Sequence, residues 1–346
     1  MAQGLPEAGG GSCFLTRPER GFVLGKFMPP HAGHEYLCAF ASRYVGSLTI
    51  LVCSLPDDPL PGALRHAWMS ELFPAARVLH CEEDLPQAPE DAPDAFWPIW
   101  RDVVRRYHPE PLDVVFASEP YGHRLAAETG ARFVPVDPQR TTFPVSATAI
   151  RRDPFANWRH ISAPARPFYL KRVTLMGAES SGKTTLSNAL ASHYGTVVAP
   201  EFGRFHTEAF GQSATAAEDM RRIVQGHLAG RGALERRANR LLIEDTDPVL
   251  TAIWSDTLAG SRDPWFDAFD DYPDLYLLCD ADIPWVNDGT RYFADPEQRE
   301  RFHRACVREL EGRSVPWLLL SGSHSDRMKR AIAAIDALLQ PAPAQQ

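Results

Sequence analysis

The run Val173 to Leu186, Val-Thr-Leu-Met-Gly-Ala-Glu-Ser-Ser-Gly-Lys-Thr-Thr-Leu, constrains this chain more than any other stretch. Gly177 and Gly182 bracket four residues and Lys183-Thr184 follows, which completes G-x-x-x-x-G-K-[ST] directly after an apolar, β-type run. The pattern dictates a strand, an anion-cradling loop and the first turn of a helix. Glycine is needed where the backbone takes conformations closed to other residues and approaches an anion closely. The helix starting near Lys183 aims its positive end at the same point. With glycine at about 7% of residues, chance assembles the four fixed positions in only about one such chain in a hundred. The motif predicts that residues Gly177, Glu179, Ser180, Ser181, Gly182 and Thr185 surround an ATP phosphate. Lys183 then holds the β and γ oxygens and Thr184 binds Mg²⁺.

A chain of 346 residues has room for two domains of ordinary size, and one such loop near its middle fits that division. The net charge of −8 argues against a broad nucleic-acid or anionic-membrane surface, which needs an excess of Lys and Arg. The six cysteines form no C-x-x-C pair, as expected of buried or free thiols in a reducing cytosol. No apolar run approaches the roughly eighteen residues that span a bilayer, and Met1 to Gly11 lacks the layout of a secretory signal. A cytoplasmic enzyme without membrane insertion is the expectation; a homo-oligomer stays open.

Residues 1–20 and 341–346 read as a flexible leader and tail. Between them, apolar runs at Gly21–Gly25, Leu48–Cys53, Arg77–His80, Val114–Ala117 and Arg132–Val136 alternate with helical patterns at Glu35–Tyr44, Leu64–Phe73, Phe96–Tyr107 and Tyr121–Thr129. Such alternation predicts βαβ units and a parallel sheet, with ligand at the carboxyl ends of the strands. Three prolines between Pro154 and Pro167 mark the junction, which gives one domain over 21–160 and another over 168–340. The second half adds strands at Thr196–Val198, Leu241–Asp245, Leu275–Cys279 and Trp317–Ser321, a long helix from about Ala216 to Arg237 and a closing helix over Ile332–Leu339.

In the first half, His31 and His34 stand three apart at the mouth of a helix, so both imidazoles share one face. Gly33 lets a phosphate come close, and Lys26 adds charge. A zinc pair, two satisfied structural histidines and a nucleotide site all suit this spacing. Ser146, Thr148 and Arg151 open another helix, either as an N-cap with a surface arginine or as a polyphosphate site. Together, Gly25-x-Phe27-x-Pro29-x-His31-x-Gly33-His34 and Ser146-x-Thr148-x-x-Arg151 resemble the paired signatures of the nucleotidyltransferase superfamily of adenylyltransferases. That resemblance implies a Rossmann-like domain in which Gly25, Lys26, Phe27, His34, Ser146, Thr148 and Arg151 bind ATP. His31, His34 and Arg151 would stabilise charge on the triphosphate, with no covalent nucleophile. Arg65, Trp97 and Trp100 lie in the region for a pyridine ring and phosphate, although core packing is the simpler role for any single tryptophan.

In the second half, Leu241-Leu-Ile-Glu-Asp245 supplies the acidic residue a phosphate-loop kinase uses to position Mg²⁺, with Asp245 first and Asp247 second. Glu201 follows the strand after the loop helix, where it either orients the hydroxyl to be phosphorylated or is an exposed turn carboxylate. The acceptor is expected against Glu201, Arg204, Asp247 and Trp285. Trp285 to Arg291 reads as a lid bringing Arg291 over the transferring phosphate.

An adenylyltransferase followed by a phosphate-loop kinase resembles the bifunctional nicotinamide-mononucleotide adenylyltransferase and ribosylnicotinamide kinase family of bacterial NAD salvage. Val-Asp-Pro-x-Arg at 136–140, Glu-x-Gly-Arg at 201–204, Asp-Thr-Asp at 245–247 and Pro-Trp-Val-x-Asp-Gly-x-Arg at 284–291 add to it. The resemblance implies nicotinamide riboside, nicotinamide mononucleotide (NMN), ATP and NAD as ligands, with Mg²⁺. Some members carry an N-terminal DNA-binding repressor domain that is not expected in this sequence. A riboflavin kinase with flavin adenylyltransferase also pairs the two activities, but its kinase half has no phosphate loop. From another class, a nucleotide-sensing regulator or transporter partner would bind NAD and ATP without turnover.

Overall fold

The structure is a computed structural model that describes residues 19–211, 217–285 and 295–340. Among these residues the chain forms two compact units. The first runs to Arg151 and takes back His160–Ser162, and the second comprises Arg152–Arg159 and everything from Ala163.

The first unit is built on β1 (Arg20–Gly25), β2 (Ser47–Cys53), β3 (Arg77–Cys81), β4 (Val114–Ala117) and β5 (Arg132–Pro135), all parallel in the order β3-β2-β1-β4-β5. Alternate residues leave opposite faces of a strand. Val23, Ile50, Val52 and Phe116 therefore meet α1 (Ala32–Tyr44) and α2 (Gly62–Leu72). Phe22, Leu51, Cys53, Cys81 and Val115 meet α3 (Phe96–Tyr107) and α4 (Tyr121–Thr129). Helix α3 buries Phe96, Trp100, Val103 and Val104, the apolar stripe of a 3.6-residue period. Helix α5 (Ala147–Arg152) follows β5 by a loop. The strand order reverses around β1, which opens a crevice at the carboxyl ends of β1 and β4.

The second unit opens on α6 (Arg166–Tyr169) and orders its parallel strands β10-β9-β6-β8-β7. These are β6 (Lys171–Met176), β7 (Val198–Ala199), β8 (Leu241–Asp245), β9 (Leu275–Cys279) and β10 (Trp317–Leu320). Helices α7 (Lys183–Tyr194) and α13 (His324–Leu338) cover one face. The other is covered by α10 (Pro248–Trp254) and α12 (Pro296–Arg313), while α8 (Phe202–Phe210), α9 (Ala217–Leu234) and α11 (Pro264–Ala268) complete the layer order. Two parallel-sheet α/β units are thus observed, as the alternation predicts.

Some boundaries differ. The strand expected at Thr196 starts at Val198, because Gly195 ends α7 in the left-handed conformation and Thr196 donates N–H to Ala191 O at 2.9 Å, closing the helix. Helices α8, α10 and α12 were not expected. In α12 only Phe302, Cys306 and Leu310 supply an apolar seam among buried Arg299 and His303, too thin a pattern to announce a helix. Among the described residues no helix is long and apolar enough to cross a membrane.

Candidate functional site: an anion cradle in each unit

In the first unit a cleft of about 690 Å³ opens at the carboxyl end of β1, a size suited to a nucleotide. Gly25, Lys26, Phe27, His31, His34, Ser146, Thr148 and Arg151 all line it, as do Trp97 and Trp100. Two motifs far apart in the sequence are thus brought to one wall by the β1 loop and α5.

His31 is the N-cap of α1, its Nδ1 accepting the Gly33 N–H at 3.1 Å. The His31 and His34 rings stack with centroids 3.8 Å apart. Burial, followed by the Arg140 and His160 charges, lowers the His31 pKa to about 4. Burial also drives His34 well below the usual imidazole range. Both are therefore neutral at pH 7. With its Nδ1 engaged as an acceptor, His31 carries its proton on Nε2 as a hydrogen-bond donor. Arg151 donates to Met28 O at 2.5 Å and Thr148 Oγ1 at 3.2 Å, which ties α5 to the β1 loop. Ser146 Oγ accepts the Ala149 N–H at 3.1 Å, so the N-cap geometry and the cleft position coexist. Trp100 spends its indole N–H on Pro86 O at 3.0 Å and offers only ring surface.

Arg65 requires a correction. It is wholly buried, donating to Lys26 O at 2.7 Å, Cys53 O at 3.2 Å and Asp58 Oδ2 at 2.6 Å, and does not line the cleft. Its guanidinium staples the ends of β1 and β2 from beneath and cannot reach a substrate. Arg140, in contrast, lines the cleft and lowers both histidine pKa values electrostatically. It was legible only as part of Val-Asp-Pro-x-Arg. The Asp137 carboxylate accepts Thr141 N at 2.9 Å and Thr142 N at 3.1 Å, folding the loop that carries Arg140. Glu119 pairs with that guanidinium at 3.1 Å.

In the second unit the loop after β6 needs its glycines. Gly177 has φ +139°, and a Cβ there would lie 2.5 Å from the Cys279 carbonyl oxygen; Gly182 has φ +85° and caps α7. Lys183 is buried, its ammonium donating to Gly177 O and Ala178 O at 3.0 Å each. Thr184 donates to Asp245 Oδ2 at 2.6 Å. Asp245 Oδ1 and Ser181 Oγ are buried with no hydrogen-bond partner. Hard oxygen donors with an orphaned carboxylate oxygen fit Mg²⁺, which Thr184 and Asp245 would hold. Thr185 is exposed in the first turn of α7. Glu179 and Ser180 complete the loop, Ser180 at φ +56°.

Two arginines that sequence reasoning missed brace this loop. Arg327 of α13 donates to Ser181 O at 2.6 Å, and Arg299 of α12 donates to Glu179 O at 3.3 Å. They lie 146 and 120 residues from their partners, beyond any local signal.

Glu201 lines a smaller pocket of about 80 Å³ with Gly203, Thr207, Met220, Thr246 and Trp254. Burial raises its pKa, opposed by Lys183 and reinforced by Asp245, so the carboxyl stands within electrostatic reach of the loop. Arg204 also acts on it. Asp247 is turned away: its carboxylate caps α10 through Leu250 N at 3.1 Å and accepts from Tyr276 OH at 2.5 Å, deep in the core. This corrects its assignment to substrate or metal. Both oxygens are already engaged, and burial raises the pKa to about 6. Trp285 is half-buried and does not line the pocket. Arg291, and with it the lid reading, lies outside the described residues.

Residues 172–327 match the model of a family described as AAA domain. The trifunctional NAD biosynthesis/regulator protein NadR of Escherichia coli (strain K12) is 29% identical over 347 residues, covering 92% of this chain and 83% of its own length. Its counterpart from Salmonella typhimurium is 27% identical with the same coverage. A crystal structure of NadR protein in complex with NR superposes with a TM-score of 0.75 at 22% identity, over 96% of this chain and 99% of the other. One in complex with NAD and AMP-PNP gives 0.73 at 23%, over 95% and 98%. The chain is homologous to the NadR proteins and shares their fold.

Proposed function

We propose that this homologue of the NadR proteins phosphorylates nicotinamide riboside with ATP in its second unit, over residues 168–340. The first unit, over 21–160, then joins the resulting mononucleotide to AMP from ATP, giving NAD and pyrophosphate. The observation that carries the reading is that each unit has its own anion cradle at the carboxyl end of its central strand, β1 or β6. The relatives solved with NR and with NAD and AMP-PNP support the same ligands here.

In the second unit, loop N–H groups and Lys183 hold the β and γ phosphates while Glu201 accepts or orients the acceptor hydroxyl. Its raised pKa makes it a better base than a solvated carboxylate. Mg²⁺, when bound between Thr184 and Asp245, supplies charge neutralisation on the phosphates. The first unit works without a covalent nucleophile. His31 and His34 donate as neutral imidazoles, and Arg140 and Arg151 bring positive charge to the triphosphate as the mononucleotide phosphate attacks in line. Trp97 and Trp100 offer apolar walls for the pyridine ring.

Purified protein incubated with ATP and nicotinamide riboside is expected to yield the mononucleotide, NAD, ADP and pyrophosphate by mass spectrometry. Lys183→Ala abolishes the mononucleotide but still converts supplied mononucleotide to NAD. No mononucleotide from the native protein, or an unaltered yield from Lys183→Ala, ends the kinase half. Ligand-dependent thermal shifts with no ADP or pyrophosphate point instead to a sensor.

A further inference from the structure

Strands β2 and β3 end side by side, and their last residues, Cys53 and Cys81, are register partners. Neighbouring strands lie about 4.8 Å apart, inside the Cα separation of about 4.4–6.8 Å that a disulfide spans. Both side chains enter the same cluster against α3 and α4, and the two thiols are in hydrogen-bonding contact. The contact with Cys53 is the main cause that lowers the Cys81 pKa to about 6, while Cys53 is pushed far up. Of these thiols Cys81 gives up its proton most readily. Cys279 and Cys306, by comparison, are raised by burial to about 11 and about 12.

Cys53 also borders the first cleft. Its carbonyl accepts from Arg65 at 3.2 Å, and the same guanidinium holds Lys26 O at 2.7 Å. A bond between the two sulfurs would shift the end of β2 that Arg65 holds and, through Arg65, the loop that carries Lys26.

We propose that Cys53 and Cys81 form an oxidisable dithiol that closes to a disulfide with a hydroperoxide and thereby weakens nucleotide binding in the first cleft; the binding half rests on the function proposed above. Once deprotonated, the buried Cys81 sulfur attacks an oxygen of a peroxide admitted past Cys53 at the cleft, the O–O bond breaks, and a sulfenic acid forms as hydroxide or alkoxide leaves. The Cys53 sulfur then attacks the Cys81 sulfur and the S–O bond breaks. The departing hydroxyl takes the Cys53 proton and leaves as water. The two sulfurs together lose two electrons, which the peroxide gains; a small dithiol reverses the step.

The test treats the purified full chain with hydrogen peroxide, maps cross-linked peptides under non-reducing conditions by mass spectrometry, and measures NAD affinity before oxidation, after it and after re-reduction by dithiothreitol. A Cys53–Cys81 cross-link is expected, with NAD bound about tenfold more weakly until reduction restores it. Cys81→Ser and Cys81→Ala keep the affinity of the reduced native protein and do not respond to peroxide. Absence of the cross-link, a cross-link at unchanged affinity, or an equal loss of affinity in both Cys81 variants overturns the proposal. If the reduced native protein binds neither NAD nor ATP in this cleft, the adenylyltransferase reading fails and takes the binding half of the proposal with it. The cross-link map still decides the dithiol.

Discussion

Gly177→Ala separates what the backbone of the second cradle contributes from what Lys183 contributes. At φ +139° an alanine is strained, and such conformations cost about 1–3 kcal/mol. The new methyl would also stand 2.5 Å from the carbonyl oxygen of Cys279. That carbonyl cannot swing away, because Cys279 ends β9 in register with Leu320 of β10. Overpacking of this kind costs about another 1–3 kcal/mol, so the two effects sum to about 4 kcal/mol, a large part of a domain's stability. Gly260 is the control in the same unit: its φ is +63° with nothing within 4 Å of the place a methyl would take, so Gly260→Ala costs only about 1 kcal/mol. Hydrogen exchange of β6 and β9 amides in the whole chain reads the opening energy of this unit directly. ATP-analogue protection of the same amides should vanish in Gly177→Ala and persist in Gly260→Ala. Equal losses of stability in the two variants would show that the Cys279 carbonyl does not confine the loop, and the account of the cradle would fall.

Three further outcomes follow from the same geometry. Arg65→Met takes from the Asp58 carboxylate, whose side chain is only 7% exposed, its nearer cation and leaves Lys26 at 3.8 Å, and should cost the first unit about 3 kcal/mol in a denaturant melt. Adding Asp58→Asn should recover part of the loss, and a raised KM with an unchanged melt would restore Arg65 as a substrate contact. His31 is held at about 4 against an ordinary 6.5, so between those values the unfolded chain takes up a proton that the folded one refuses. Stability therefore falls as pH drops from 6.5 towards 4, by about 3 kcal/mol for this group. His31→Asn, which keeps a capping oxygen, should reduce the slope in a urea-midpoint series and leave the part that buried His34 contributes, and an unaltered slope would refute the assignment. Asp245→Asn should lower mononucleotide formation about 10²-fold or more and raise the Mg²⁺ concentration needed for half-maximal rate. NAD formation from supplied mononucleotide should be untouched, and an unchanged Mg²⁺ requirement would remove Asp245 from the metal site.

What was legible in this sequence was whatever is written locally. The strand, loop and helix around Lys183 occupy consecutive residues, and the two parallel sheets follow from apolar runs alternating with helical patterns, so both could be read without tertiary knowledge. Pairings across the chain could not. An arginine in the helical pattern Leu64–Phe73 looks like a ligand for phosphate; only when the β1 loop, the end of β2 and Asp58 converge do three acceptors enclose Arg65 and leave it nothing for a substrate. The same argument runs in reverse for Arg327 and Arg299, which carry no motif yet hold the carbonyls of the phosphate loop from α13 and α12. Asp-Thr-Asp offered two acids, Asp245 first and Asp247 second. Thr246, at φ +80°, turns the backbone between them, so Asp245 meets Thr184 while Asp247 is carried past the strand to cap α10. A backbone rotation at one residue thus separates a metal-binding carboxylate from a structural one two positions away, and composition alone holds no trace of it.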